Sequence, residues 1–306
     1  MSTIFGTSTA AFFERSLMDL TALRKQAEDT QAEMSTGERL QRSSDDPVAA
    51  SRLRQLARAG VFDDIDTAAT NRATTDLTLT DTALSQFASI VTRLQELTTQ
   101  AANSTVNDSQ RAGIGEEIAQ LRDSLVALAN SRDGNGNALF GGESAADAYT
   151  LDASGNATYA GTSAAGTISI GGGQSVARGV TGPEFLQFQS GGGTVDLLAM
   201  TKALADDLKS GAGGVATANA ALTALGDGLN AITTAQTVVG SRLNWIDLNT
   251  ERRTTLSEMR TTEQTEVGGA DLTESIARLQ NTMLVLQASQ ASFAKLANLS
   301  LFSVLN

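Results

Sequence analysis

The chain has 306 residues, a net charge of −12 and a pI of about 4.5, and its Lys and Arg residues form no cluster suited to nucleic acid phosphates. It contains neither cysteine nor histidine, which excludes disulfide frameworks, thiolate zinc sites and imidazole-based catalysis. No apolar run is long enough to cross a bilayer, and the first residues lack the pattern of a cleaved secretory signal.

The N-terminal segment carries a loose apolar stripe at helical spacing. The stripe predicts a helix through Phe13, Leu17, Leu20, Leu23, Ala27 and Met34.

Aromatic residues make up only 4% of the chain. This composition favours long helices that touch along narrow seams over a thick hydrophobic core.

The stretch "RSSDDPVAASRLRQL" holds one of only two prolines in the chain. Pro47 fits the first position of a helix, where its missing N–H would be unpaired anyway, and Asp46 fits the preceding N-cap. Asp45 adds negative charge near the helix start. We therefore expect a joint between two helices at these three residues. A helix-starting proline without a further role explains the pattern equally well.

Three further heptad seams predict core helices on both sides of a different middle region. The seams before it run through Leu77, Leu84, Phe87, Val91 and Leu94, and then through Ile114, Ile118, Leu121, Leu125 and Leu128. The seam after it runs through Leu222, Leu225, Leu229, Ile232, Gln236, Val239, Leu243 and Ile246. We expect Trp245, beside this last seam, to serve core or interface packing.

The middle region is dense in Gly, Ser, Thr and Ala and contains short alternating pieces such as "ATYAG" and "GTISIGGG". These pieces predict a small β-rich insert over 139–193, with loops at Gly171–Gly173 and Gly191–Gly193. The preceding "DGNGN" resembles the opening of a calcium loop, but Ala138 and Ser144 replace the required Gly and Glu. A plain turn is the favoured interpretation of that stretch.

The C-terminal segment has the clearest period. It predicts a helix with a seam through Leu272, Ile276, Leu279, Met283, Leu286, Gln290, Phe293 and Ala297, after an Asp271 N-cap. The predicted fold is mainly α: a long antiparallel coiled-coil bundle made by both chain ends, with the small β-rich insert between. Its segments are an N-terminal assembly helix (1–45), a helical core (46–138 and 194–268) around the insert (139–193), and a C-terminal assembly helix (269–306).

The terminal helices lack apolar contact surface. Ordering about 35 residues costs about 1–2 kcal/mol each, and six apolar side chains recover only about 1.5–3 kcal/mol per large one. We therefore expect neighbouring subunits to supply the missing burial, although heptads are equally compatible with a bundle closed within one chain. The expected contact residues are Leu20, Leu23, Ala27 and Met34 on the first helix and Leu279, Met283, Leu286 and Phe293 on the last.

The chain resembles the flagellin superfamily over nearly its full length. The resemblance is carried by "STGERL" followed by "SDDP", by "RDGNGNALFGG", by "VGSRLNWID" and by "LTESIARLQNTMLVLQASQASFAKLANLSLF". The ending "LSLFSVLN" and the "SDDP" form are more similar to the members that join hook and filament than to filament flagellins.

The resemblance implies an extracellular structural protein of the bacterial flagellum that has no cofactor. It implies export through the flagellar type III channel with the help of a chaperone, and assembly as a ring of identical subunits between neighbouring axial proteins. The terminal helices would line the central tube and the insert would face outward. A filament flagellin is the near alternative, and an adhesin that binds glycans through the insert is the remote one. An enzyme is not expected, because no nucleophile, base and orienting partner stand at readable spacing.

Overall fold

The computed structural model describes residues 3–211 and 214–304, with side chains described from residue 11 to residue 296 outside the same gap. The helices of this part are α1 (Thr3–Thr36), α2 (Pro47–Ala101), α3 (Asp108–Ala129), α4 (Gly182–Leu186), α5 (Leu197–Ser210), α6 (Gly214–Gly268) and α7 (Leu272–Val304). Its strands are β1 (Tyr149–Leu151), β2 (Ala157–Tyr159), β3 (Thr167–Gly171), β4 (Gln174–Ala177), β5 (Gln187–Ser190) and β6 (Gly193–Asp196). The expected order of helices, β insert and helices is confirmed.

The chain divides into two compact units. The terminal unit comprises Met1–Val61 and Leu256–Asn306, and the central unit comprises Phe62–Thr255. These divisions fall inside α2 and α6 and not at 45/46 and 268/269, where the sequence changes from one helix to the next. Since α2 and α6 are each continuous over 55 residues, a change of helix does not coincide with a change of compact unit.

The core of the central unit follows the predicted seams. Leu77, Leu84, Phe87, Val91 and Leu94 of α2 are fully buried, as are Leu225, Ile232 and Val239 of α6. Helices α3 and α5 pack against each other, and Ile118 and Leu125 of α3 are fully buried in the same core. Gly115 lies at this contact, where an added Cβ would be 3.0 Å from Leu208 Cβ of α5.

The end of α2 and the start of α3 carry a signal that the heptad analysis missed. Asn107 caps α3: its side chain accepts a hydrogen bond from Gln110 N at 2.8 Å, and the Gln110 side chain accepts one from Asn107 N. The buried Arg111 side chain then donates to Ala101 O at 3.1 Å, which ties the two helix ends together. An Asn followed three residues later by Gln is the capping-box pattern, so the sequence alone could have located this break.

The insert consists of three separate two-stranded antiparallel hairpins, β1–β2, β3–β4 and β5–β6. Strands occupy 149–196, so the β structure starts later and ends later than the predicted limits of 139 and 193. Gly191 and Gly192 both have positive φ in the two-residue turn between β5 and β6. Such a turn matches the right-handed twist of the strands only with φ values that glycine adopts freely. Both triple-glycine stretches lie at hairpin turns, which agrees with their prediction as loops.

Three phenylalanine rings anchor the insert to α2. The Phe87 ring lies 5.8 Å from that of Phe140 and 5.1 Å from that of Phe185, measured between centroids, and all three side chains are fully buried. Arg178 adds a polar link, because its Nη2 lies 3.2 Å from Asp76 Oδ2 of α2 and 3.3 Å from Asp133 Oδ2. The insert therefore shares the core of the central unit and is not a separate module.

We predict that Phe185→Ala lowers the free energy of unfolding of the central unit by about 3–5 kcal/mol, because it leaves a cavity between two rings. Urea unfolding followed through Trp245 fluorescence measures this loss. The matched control is Leu151→Ala on the exposed side of β1, which should change the same quantity by no more than about 0.5 kcal/mol. Equal effects of the two substitutions would contradict the role given to the aromatic cluster.

Candidate self-assembly surface

The two terminal helices pack against each other as an antiparallel pair. Phe13 of α1 meets Phe293 of α7 edge to face, with ring centroids 5.4 Å apart. Toward the other end of the pair, Arg278 Nη1 lies 3.6 Å from Glu33 Oε2. The N-terminal part of α1 therefore lies beside the C-terminal part of α7, and the two chain ends come together as expected.

The α1 side of this contact follows the predicted stripe with one exception. The less exposed positions recur with heptad spacing at Phe13, Ser16, Leu20, Leu23, Ala27, Thr30 and Met34. Ala27 is 8% exposed and Thr30 is 2% exposed, whereas Leu17 points outward with 53% exposure. The Thr30 hydroxyl donates to Gln26 O at 2.9 Å, which satisfies its hydrogen bond inside the contact.

The α7 side is rotated from the predicted seam. The less exposed positions are Ser275, Leu279, Thr282, Leu286, Ser289 and Phe293. Met283, an expected contact residue, is 43% exposed, and Leu272, Ile276 and Gln290 of the predicted seam are exposed as well. The seam was placed on the most apolar stripe, but small Ser and Thr side chains let the two helices approach closely.

Several large apolar side chains of α1 and α7 remain exposed to solvent. On α1 these are Phe12, Leu17 and Met18, which are 48–65% exposed. On α7 they are Leu272, Ile276, Met283, Leu284, Val285 and Leu296, which are 43–65% exposed. Fully burying such a side chain contributes about 1.5–3 kcal/mol, so this face can contribute much more in contact with another molecule than in water. We call these residues the outer apolar face.

The joint between α1 and α2 is built as its sequence predicts. Pro47 is the first residue of α2, and Asp46 is its N-cap: Asp46 Oδ1 accepts a hydrogen bond from Ala49 N at 3.0 Å. This bond, together with the neighbouring Arg39 guanidinium, lowers the pKa of the half-buried Asp46 despite partial desolvation. Asp45 closes the preceding turn, since its Oδ2 accepts from Arg42 N at 2.9 Å.

A short antiparallel β-bridge, which we call the stitch, connects this joint to the one between α6 and α7. Glu38 and Gly269 form an antiparallel β-bridge, with Arg39 N donating to Gly268 O at 2.8 Å and Ala270 N donating to Gly37 O at 2.9 Å. Arg39 Nη2 also donates to Val267 O at 2.9 Å and lies 3.5 Å from Asp46 Oδ2. No sequence pattern predicts this stitch, because its partners are about 230 residues apart.

The "DGNGN" stretch is a turn, and both carboxylate oxygens of Asp133 have hydrogen-bonding partners within the protein. Asp133 Oδ1 accepts from Asn135 N at 2.8 Å and from Asn137 N at 2.9 Å, while Oδ2 lies near Asn137 Nδ2 and Arg178. Burial opposes ionisation of Asp133, but the bonds from Asn137 and Asn135 outweigh it and lower its pKa. Asp152 is held in the same way by Ser154 and Asn156 in the β1–β2 turn.

Trp245 is 44% exposed, so it belongs to the surface and not to the core.

Within the part of the chain that the structure describes, no group of three or more Asp and Glu side chains is arranged to hold a metal ion. Over the same residues, no helix is long and apolar enough to span a membrane. The terminal helices and their joint therefore remain the candidate functional site.

Comparisons with known proteins agree with this picture. Residues 12–145 match the family model of the bacterial flagellin N-terminal helical region. The chain is 35% identical to flagellar hook-associated protein 3 of Escherichia coli over 135 residues, which are 44% of this chain and 43% of that protein. It therefore matches less than half the length of this relative. A more distant relative is the flagellar filament 41 kDa core protein of Borreliella burgdorferi, 27% identical over 124 residues, which are 38% of this chain and 35% of that protein.

The fold comparison covers more of the chain. The solved structure of flagellar hook-associated protein 3 from Legionella pneumophila superposes with a TM-score of 0.63, at 14% identity, over 70% of this chain and 98% of that one. The family match lies on α1, α2, α3 and the start of the insert. Residues 12–145 of this chain thus correspond to a flagellin N-terminal helical region, and the chain shares the fold of a flagellar hook-associated protein.

Proposed function

We propose that the protein is a structural component of the bacterial flagellum that joins the hook to the filament, assembling through its terminal helices. The observation that carries this proposal is the outer apolar face of α1 and α7. A helix pair that buries Ala27, Thr30, Ser275 and Thr282 while exposing Leu17 and Leu284 leaves large apolar groups where another molecule can cover them. Covering them in a ring of identical subunits supplies the burial that the pair lacks.

The pattern of exposure supports two roles for the predicted contact residues. Leu20, Leu23, Ala27, Met34, Leu279, Leu286 and Phe293 hold α1 and α7 together as a pair. Met283 belongs instead to the outer apolar face and contacts a neighbouring subunit. The proposed assembly thus uses two faces of each terminal helix, one within the chain and one between chains.

The joint at Asp45, Asp46 and Pro47 serves as the connection that sets the direction of the terminal pair. Its stitch to Gly268, Gly269 and Ala270 holds both helix-to-helix crossings together, so α1 and α7 move as one body. Outside the cell, the neighbours are other hook-associated proteins and flagellin. Export in an unfolded form with a chaperone fits a chain that has no cysteine to form disulfides.

A junction protein is favoured over a filament flagellin by the closer relationship to hook-associated protein 3 than to the filament core protein. The insert is also small, with its strands confined to 149–196.

The location of the protein within intact flagella tests this preference. An epitope tag inserted between Gly191 and Gly192, in the exposed β5–β6 turn, leaves the terminal helices intact.

We predict that this tag is detected by electron microscopy as a single band at the boundary between hook and filament. Labelling along the whole filament, or long filaments grown from the purified chain alone, would assign the protein to the filament instead. Flagella without label would contradict the proposal altogether.

We further predict that Leu284→Ser impairs incorporation into flagella while leaving the monomer intact. Leu284 is 65% exposed, so its replacement should change the free energy of unfolding by no more than about 0.5 kcal/mol. Gln287→Ser, at an exposed polar position of the same helix, is the control and should leave incorporation unchanged. Circular dichroism and quantification of the protein in isolated flagella measure the two effects. Normal incorporation of Leu284→Ser would remove the support for the outer apolar face.

The joint gives a pH-dependent prediction. The lowered pKa of Asp46 means that its capping contribution is complete above the unfolded-state value near 4 and is lost as the pH falls through the lower folded value. Amide hydrogen exchange at Ala49 and Ala50 should therefore accelerate in strong acid. At neutral pH, Asp46→Ala should accelerate it as well, whereas Asp46→Asn should not, because Asn retains the capping oxygen. Identical exchange in all three proteins would show that Asp46 does not fix the start of α2.

A further inference from the structure

Methionine is the only sulfur-containing residue of the chain, and it is concentrated in the terminal unit. The chain has six methionines and no cysteine. Five of the six lie in the terminal unit, and only Met200 lies in the central unit. Since no thiol competes for an oxidant, the thioether groups of these methionines are the oxidisable sulfur of the chain.

Three of these methionines are exposed. Met18 is 65% exposed, Met259 is 64% exposed and Met283 is 43% exposed. Met200 is instead partly buried against the core of the central unit, and Met34 is among the less exposed positions of the contact between α1 and α7. Because an oxidant must reach the sulfur atom, the described methionines fall into an exposed class of three and a shielded class of two.

Met18 and Met283 belong to the outer apolar face. Met18 follows the exposed Leu17 and lies nine residues, about two and a half helical turns, before the buried Ala27, so it points away from the contact with α7. Met283 lies one heptad beyond Ile276, which is also 43% exposed, so the two side chains share one side of α7. Both sulfur atoms therefore lie on the surface through which the proposed assembly occurs.

We propose that Met18 and Met283 are oxidation sites for hydroperoxides, and that their oxidation blocks assembly through the outer apolar face. The thioether sulfur donates a lone pair to the terminal oxygen of the hydroperoxide, the S–O bond forms and the O–O bond breaks. The proton of the transferred hydroxyl group moves to the departing oxygen, which leaves as water or an alcohol. Sulfur is oxidised to the sulfoxide and the peroxide is reduced. The inference deepens the proposed function and rests on it.

Oxidation changes the outer apolar face from apolar to polar at two points. A sulfoxide oxygen is a hydrogen-bond acceptor, and it loses its water when the face is covered. Neighbours on the face such as Leu17, Ile276 and Leu284 have no side-chain donor to replace that water. A thiol-dependent sulfoxide reductase would restore the face, because two thiols become a disulfide while the sulfoxide oxygen leaves as water.

Limited oxidation of the purified full-length protein tests the choice of sites. The protein is treated with dilute hydrogen peroxide, and the gain of one oxygen atom at each methionine is followed by peptide mass spectrometry. Met18, Met259 and Met283 should react at least about fivefold faster than Met34 and Met200. Equal rates at all five residues would overturn the assignment of the exposed class.

Glutamine, which is polar and similar in length to methionine sulfoxide, tests the effect on assembly. Met18→Gln combined with Met283→Gln should lower the amount of protein in isolated flagella by at least about tenfold. Met259→Gln is the matched control, because Met259 is equally exposed but lies on α6, outside the outer apolar face, and it should leave incorporation unchanged. Normal incorporation of the double variant, or an equal loss in Met259→Gln, would overturn the proposal.

A variant that resists oxidation gives the complementary test. Met18→Leu combined with Met283→Leu keeps the face apolar and removes both sulfur atoms. When flagella assemble in the presence of hydrogen peroxide, incorporation of the wild-type chain should fall at least about fivefold relative to this variant, and the two should be equal without peroxide. An equal loss in both proteins would overturn the proposal, since peroxide would then act elsewhere.

These results separate the inference from the proposed function. Absence of the wild-type chain from flagella grown without peroxide would refute the proposed function and leave the measured oxidation rates standing. Normal incorporation of the wild-type chain together with the glutamine double variant would refute the inference and leave the proposed function standing.

Discussion

The structure depends on one constraint: two helices packed side by side can each bury only one narrow face. In the central unit, α3, α5 and the insert cover other faces of α2 and α6, and a continuous core results. In the terminal unit, α1 and α7 pack mainly on each other. Their contact combines small and hydroxyl-bearing residues, such as Ala27 and Thr30, with larger apolar residues, such as Leu286 and Phe293. Other large apolar side chains, such as Leu17 and Leu284, remain exposed.

The contact between α1 and α7 buries hydroxyl-bearing residues among its apolar ones. Thr30 and Thr282 return their hydroxyl groups to their own helix, donating to Gln26 O and Arg278 O. These groups can therefore be buried without an unpaired polar atom. At the end of the pair, Phe13 and Phe293 meet edge to face. Polarity and burial thus coexist at Thr30 and Thr282, because each hydroxyl donates to a carbonyl of its own helix.

The joint and the insert show how distant parts of the chain are fixed. The stitch between Glu38 and Gly269 uses backbone hydrogen bonds, so it constrains two helix crossings without a requirement for particular side chains. The insert is fixed differently, through the rings of Phe140 and Phe185 on Phe87 and through the Arg178 link. In a chain with few aromatic residues, placing three rings together gives the irregular region a firm attachment to the helices.

The sequence by itself determined the order of helices and insert, the hairpin turns at the glycines, the capped start of α2 at Pro47 and the core seams, because these follow from local geometry and period. It could also have located the break at Asn107 from its capping box. Only the tertiary structure decided which face of α7 meets α1. A heptad period through Leu279 fits a contact face that includes Met283 and one that excludes it equally well. The stitch, the aromatic anchor and the exposure of Trp245 were likewise decided in three dimensions, because each depends on partners far away in the chain.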